Sequence, residues 1–103
     1  MPFVKVADTR EVPANSVIEV FVGDEPIAVC NVQGEIHALG GTCPHQGGPL
    51  GQGAVNGSSV TCPWHAWDFD CRTGENDFDP ARKVAVYPVR LDAGEISIEF
   101  PNA

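Results

Sequence analysis

Two cysteine–histidine pairs restrict what this chain can become more than any other feature. Cys43-Pro44-His45 lies in the glycine-rich run GGTCPHQGGPL, Cys62-Pro63-Trp64-His65 opens TCPWHAWDF, and sixteen residues separate His45 from Cys62. Neither run can sit in a regular helix, so two loops must be held face to face if the four donors are to share one centre. In an extended C-x-H the two side chains point to the same side. The surrounding glycines tolerate positive φ, which can let backbone N–H groups turn toward a buried anion. Pro44 and Pro63 follow the cysteines directly, fixing φ and lowering the entropy lost when the loops are ordered.

The frame for such loops reads as β. Short segments rich in Val, Ile and Phe recur between turn-forming clusters, and no window of ten or more residues carries a helical period. Val17–Val22 and Ile27–Val32 flank GDEP as a hairpin, and NVQGEIHAL reverses at Gln33-Gly34. The C-terminal GEISIEF alternates Ile96, Ile98 and Phe100 against Glu95, Ser97 and Glu99, a strand with one wet face. VAVYPVRL reads as one edge or bulged strand, because Pro88 has no N–H for a ladder. Between these β-rich ends, Gly40 to Pro80 holds most of the glycine and both tryptophans and reads as loops, a length that requires a function or an internal staple. At 103 residues the chain is expected to be one domain, 1–103, with this loop-rich subdomain at about 40–80.

The 14 acidic residues against 6 basic ones give a formal charge of -8, which repels nucleic acid and anionic membranes and attracts basic proteins. No export signal opens the chain and no run of about 18 apolar residues interrupts it, so a cytoplasmic protein is expected. In that reducing compartment four cysteines point to metal ligands or buried thiols rather than to a disulfide framework. Two thiolates and two imidazoles suit a structural zinc ion. A zinc finger, however, groups its ligands as Cys-Cys and His-His along the chain, whereas here each loop supplies one of each. Mixed pairs fit a binuclear centre better, one iron taking both thiolates and the other both imidazoles. Cys30 reads as a small buried hydrophobe in a strand and Cys71 as a spare thiol or core filler, a disulfide between them being disfavoured by the compartment. His37 reads as a surface or satisfied core histidine, and Trp64 and Trp67, flanking His65, as packing that screens the site from water.

On these residues the chain resembles the Rieske proteins, whose signature is C-x-H followed, after a stretch of about this length, by C-x-x-H. CPHQGGPL, CPWHAWDFD, the Arg72-Thr73-Gly74 run and the closing VYPV are similar to the soluble ferredoxin branch that serves bacterial ring-hydroxylating dioxygenases. The resemblance implies a small antiparallel β-sandwich bearing one 2Fe-2S cluster, with Cys43 and Cys62 on the inner iron and His45 and His65 on the outer. It also implies a third loop near the cluster, where relatives carry paired prolines and this chain reads NDFDPA with Pro80 alone. High-potential members add a disulfide and two hydroxyl donors. The corresponding positions here are Gly48 and Trp64 for the disulfide, and Trp67 and Phe69 for the hydroxyls. The expected potential is therefore near the bottom of the Rieske range, about -150 mV.

The function implied is a monomeric one-electron carrier, not itself an enzyme. It would pass electrons from a flavin-dependent NAD(P)H reductase to a terminal oxygenase in aromatic hydrocarbon catabolism. Asp68, Asp70, Asp77 and Asp79 are candidate docking charges, their plainer reading being a solvated turn. Two other readings stand beside it: a small Rieske-like subunit of a larger reductase such as nitrite reductase, and a zinc-stabilised interaction module.

Overall fold

The computed structural model describes residues 3–43, 47–64, 67–76 and 83–99. Ten strands are described: β1 (Phe3–Asp8), β2 (Ser16–Val22), β3 (Glu25–Val32), β4 (Glu35–Gly40), β5 (Ala54–Asn56), β6 (Ser59–Thr61), β7 (Asp68–Asp70), β8 (Val86–Tyr87), β9 (Val89–Asp92) and β10 (Glu95–Glu99). Two single-turn 3-10 helices, Thr9–Glu11 and Leu50–Gln52, complete the regular structure of these residues. All described strand pairings are antiparallel.

The strands form three sheets, ordered β2-β3-β4-β8, β1-β10-β9 and β5-β6-β7. The first is central because both of its faces are apolar. Its register aligns Val17 with Cys30 and His37, and Ala28 with Leu39, on one face; Ile18 with Val29 and Ala38, and Val20 with Ile27, occupy the other. The second face packs on Ala7, Ile96 and Ile98 of the β1-β10-β9 sheet, closing a sandwich. The first face packs on Leu50, Val60, Phe69 and all the remaining cysteines, that is, on the layer holding the β5-β6-β7 sheet. Strand β3 is thus covered on both sides, which is why Ile27 to Val32 runs without the alternation of a half-wet strand. Asn31 interrupts this run with a polar group that is nonetheless paired: its Nδ2 donates to the Val12 carbonyl at 2.7 Å, and its Oδ1 accepts from the Gly34 N–H at 2.7 Å. The bonds satisfy the amide and tie the segment after β1 to the β3–β4 turn.

The reversal at Gln33-Gly34 is present, with both residues at positive φ (52 and 97), as a two-residue hairpin requires. The turn before it is tighter than the GDEP reading. Gly23 and Asp24 alone make it, and Glu25 and Pro26 already pair with Val22 and Phe21. Ile96 and Ile98 are fully buried, as their alternation predicts; Phe100 lies outside the described residues. VAVYPVRL is not one strand. Its first part, β8, edges the central sheet opposite Ala38 and Leu39, while β9 belongs to the other sheet and pairs with β10. The chain changes sheets at Pro88, where the missing N–H breaks no ladder, and the Pro88 carbonyl accepts from Glu99 N at 3.0 Å. Residues 40–80 are more ordered than a set of loops, since β5, β6 and β7 form a small sheet there.

The hairpin between β9 and β10 contains a testable strain. Ala93, at φ 53, holds the left-handed conformation beside Gly94 at φ 82. An alanine Cβ makes that conformation costly by about 1–2 kcal/mol, whereas Asn-Gly is the preferred pair for such a turn. Ala93→Asn should therefore stabilise the fold by about 0.5–1 kcal/mol in urea unfolding, with the m-value unchanged.

Candidate metal centre

The first cysteine loop leaves the end of β4. Gly41 lies so close to Pro26 that a Cβ on it would stand 2.7 Å from the Pro26 carbonyl carbon, and its N–H donates to Pro26 O at 2.9 Å. Thr42 pairs with Pro49 across the loop mouth, and Leu50 N donates to Gly41 O at 2.9 Å. Inside that closure Cys43 is clamped at both backbone groups: its N–H donates to Gly48 O and its carbonyl accepts from Gly47 N, each at 2.8 Å. The second loop is the connection of the β6–β7 hairpin. Thr61 pairs with Asp68, and Cys62 N donates to Trp67 O at 2.8 Å. Each cysteine thus stands at the entrance of a short loop tied shut by hydrogen bonds.

The two loops meet at their cysteines. Cys43 and Cys62 are each 1% exposed and belong to the same core with Leu50, Val60 and Phe69. Their thiols are in hydrogen-bonding contact. Burial pushes the Cys62 thiol up from its ordinary value; the Trp64 N–H, 3.4 Å from its sulfur, pulls the other way, and the neighbouring Cys43 thiol pushes it up again. The Cys62 sulfur, in so apolar a place and beside a second sulfur, ionises readily only where a cation compensates it, which is the electrostatic condition for a metal site. Gly48 makes the approach possible. A Cβ there would lie 2.8 Å from Cys62 Sγ and 3.0 Å from Trp64 Cβ, so any side chain at this position would separate the loops.

Of the four residues singled out by spacing, the structure brings Cys43 and Cys62 together; His45 and His65 lie outside the described residues, as do Asp77, Asp79 and Pro80. Trp67 packs against the core, in keeping with a screening role, but Trp64 is 49% exposed and screens less than its position suggested. Asp68 and Asp70 serve local structure. Asp68 accepts from the Thr61 hydroxyl, which itself accepts from Asn56 Nδ2 at 2.8 Å, and Asp70 accepts from the N–H groups of Arg72 and Thr73 at 2.8 and 3.2 Å. His37 is a satisfied, part-buried histidine, with Nε2 3.2 Å from Glu35 Oε1. Cys30 and Cys71 are both fully buried core residues. Sequence reasoning missed the Trp64 N–H to Cys62 Sγ bond and the Asn56–Thr61–Asp68 network at the loop base. The one available signal was a polar residue immediately on each side of the Cys62–Trp67 loop, at paired positions of a hairpin.

Residues 2–88 match a family model described as the Rieske [2Fe-2S] domain. Among curated relatives, the biphenyl dioxygenase ferredoxin subunit of Pseudomonas sp. (strain KKS102) is 30% identical over 105 residues, covering 100% of this chain and 96% of the relative. Apoptosis-inducing factor 3 of Mus musculus is 31% identical over 94 residues, covering 90% of this chain; the match spans 16% of that longer protein. Among solved structures, a chain in the complex of reduced oxygenase and oxidized ferredoxin in carbazole 1,9a-dioxygenase superposes with a TM-score of 0.83. It is 28% identical, with 93% of this chain and 91% of that chain covered.

Proposed function

This chain belongs to the Rieske [2Fe-2S] family, and on that premise we propose that it is a one-electron carrier, a ferredoxin component of a ring-hydroxylating oxygenase system. The observation that carries the reading is the pair of buried, touching thiols of Cys43 and Cys62, delivered by two loops whose sequences each add a histidine. That donor chemistry fits one Rieske-type 2Fe-2S cluster, with Cys43 and Cys62 holding one iron and His45 and His65 the other. The single domain 1–103 would carry it on the subdomain at about 40–80. When bound, the cluster supplies one-electron redox chemistry at a site of formally neutral charge, which places Rieske potentials above those of all-thiolate clusters.

The chain's own residues set the conditions around it. Leu50, Val60 and Phe69 exclude water from the thiolate end. The Trp64 N–H directed at Cys62 Sγ withdraws electron density from that sulfur. Phe69 and Trp67 stand where high-potential relatives carry hydroxyl donors, so that further withdrawal is missing. The expected midpoint potential is about -150 mV by protein-film voltammetry, and a value above roughly +100 mV would overturn the assignment to the low-potential class.

The partners proposed are a flavin-dependent NAD(P)H reductase as donor and a terminal oxygenase as acceptor. The net charge of -8 favours basic docking faces on both. A monomeric, cytoplasmic carrier is consistent with this role, and among the described residues no helix is long and apolar enough to cross a membrane. The test is direct. Purified protein should contain two irons and two acid-labile sulfides, take up one electron, and reoxidise on mixing with a ring-hydroxylating oxygenase and its aromatic substrate. A colourless protein carrying one zinc would refute the proposal.

A further inference from the structure

The cysteines left over from the metal centre are not scattered. Cys30 projects from β3 of the central sheet, and Cys71 follows β7 of the small sheet. Both are 0% exposed in the same core, and their thiols lie within hydrogen-bonding reach of each other. That contact crosses the junction between the frame and the layer that carries the second ligand loop. It also has a polar border. His37 is the cross-strand partner of Cys30, so the two side chains rise from the same face of the sheet as direct neighbours. His37 is 21% exposed and bonded to Glu35, and Glu35 is in turn paired with Arg72, at 3.4 Å, the residue after Cys71. The two thiols therefore lie just behind a partly wetted His37–Glu35–Arg72 edge, unlike a thiol pair sealed in hydrocarbon on every side.

We propose that Cys30 and Cys71 form a second redox site, a dithiol that a small peroxide converts to a disulfide linking the central sheet to the β5-β6-β7 sheet. The surroundings of the two sulfurs set the order of events. Cys71 is followed by the exposed Arg72 at the wetted edge, whereas Cys30 is set between β2 and β4 in the central sheet, so Cys71 is the sulfur a small oxidant meets. The Cys30 contact and the charge of Arg72 draw the Cys71 thiol down, against burial and the neighbouring Asp70, and Cys71 is accordingly the sulfur that attacks. A Cys71 S–O bond forms as the peroxide O–O bond breaks, giving a sulfenic acid and one water. The Cys30 sulfur then attacks Cys71, an S–S bond forms, the S–O bond breaks, and a second water leaves. Two thiols and one hydrogen peroxide become one disulfide and two waters; the sulfurs lose two electrons, the peroxide gains them, and no proton is left over. A dithiol reductant reverses the change.

Hydrogen peroxide is the probe because a buried pair admits a small oxidant more readily than a bulky disulfide. The full chain, as purified with its metal centre, is treated with hydrogen peroxide, denatured in N-ethylmaleimide and mapped by proteolysis and mass spectrometry. The expected result is a peptide carrying Cys30 joined to one carrying Cys71, lost on treatment with dithiothreitol, and a Tm several degrees higher in the oxidised protein because the link constrains the unfolded chain. Cys30→Ser should abolish the joined peptide and leave Cys71 on the sulfinic and sulfonic course, and Cys30→Ala supplies the same readout if the serine does not fold. Recovery of Cys30 and Cys71 as separately alkylated thiols from the wild type, irreversible oxidation of either without a link, or a link from either to Cys43 or Cys62 would each overturn the proposal.

Discussion

Cys62→Ser should yield a folded but colourless protein that holds less than about a tenth of the wild-type iron, because metal binding at a thiolate site is lost with the thiolate. The serine oxygen is smaller and harder than sulfur, and in a place 1% exposed it finds neither water nor a cation to favour ionisation. The substitution also replaces the sulfur that accepts from the Trp64 N–H and neighbours Cys43 with a hydroxyl on a shorter bond. Cys71→Ser is the matched control. It alters a cysteine in the same core whose contact is with Cys30, and should leave iron and acid-labile sulfide at wild-type levels. Equal iron in Cys62→Ser and the wild type would remove Cys62 from the ligand set and with it the proposed centre.

The second large effect concerns backbone. Gly53 leaves the Leu50–Gln52 turn and enters β5, and a Cβ on it would stand 1.9 Å from the Thr61 carbonyl oxygen. That oxygen belongs to β6, one residue before Cys62, and β6 is held between β5 and β7, so it cannot swing aside as a side chain would. Gly53→Ala should cost about 3 kcal/mol or more and lower Tm by more than about 10 °C. It should also disturb the metal centre through β6. Gly57→Ala provides the comparison. Gly57 has positive φ, 61, but nothing lies within 4 Å of its added Cβ, so only the conformational penalty remains, about 1 kcal/mol. If both substitutions cost the same, packing at Gly53 is not what holds the small sheet in place.

Several of these features could be read from the chain and several could not, for reasons that differ by residue. The β10 strand was legible because Ile96 and Ile98 alternate with polar residues over a face that really is half wet. The Gln33-Gly34 reversal was legible because a two-residue turn has a local chemistry. The meeting of Cys43 and Cys62 was legible from their spacing with two histidines, since donor chemistry is carried by identity rather than by packing; His45 and His65 themselves lie outside the described residues. The division of VAVYPVRL between two sheets was not, because Pro88 signals only that a ladder is absent and says nothing of where the next strand goes. Strands β5 to β7 escaped notice because three residues are too few to show a period; their pairing follows from how the Cys62–Trp67 loop closes. The contact between Cys30 and Cys71 spans two sheets, and no one-dimensional pattern records such a meeting.

Cys43 hangs from the end of a central strand and Cys62 from a strand of the small sheet. The consequence is one of timing. During synthesis the first thiol emerges with its supporting strands largely complete behind it, whereas the second has no fixed position until β7 has been made and its hairpin has docked. Whatever delivers iron and sulfide must therefore either wait for a nearly finished polypeptide or accept a half-built receptacle.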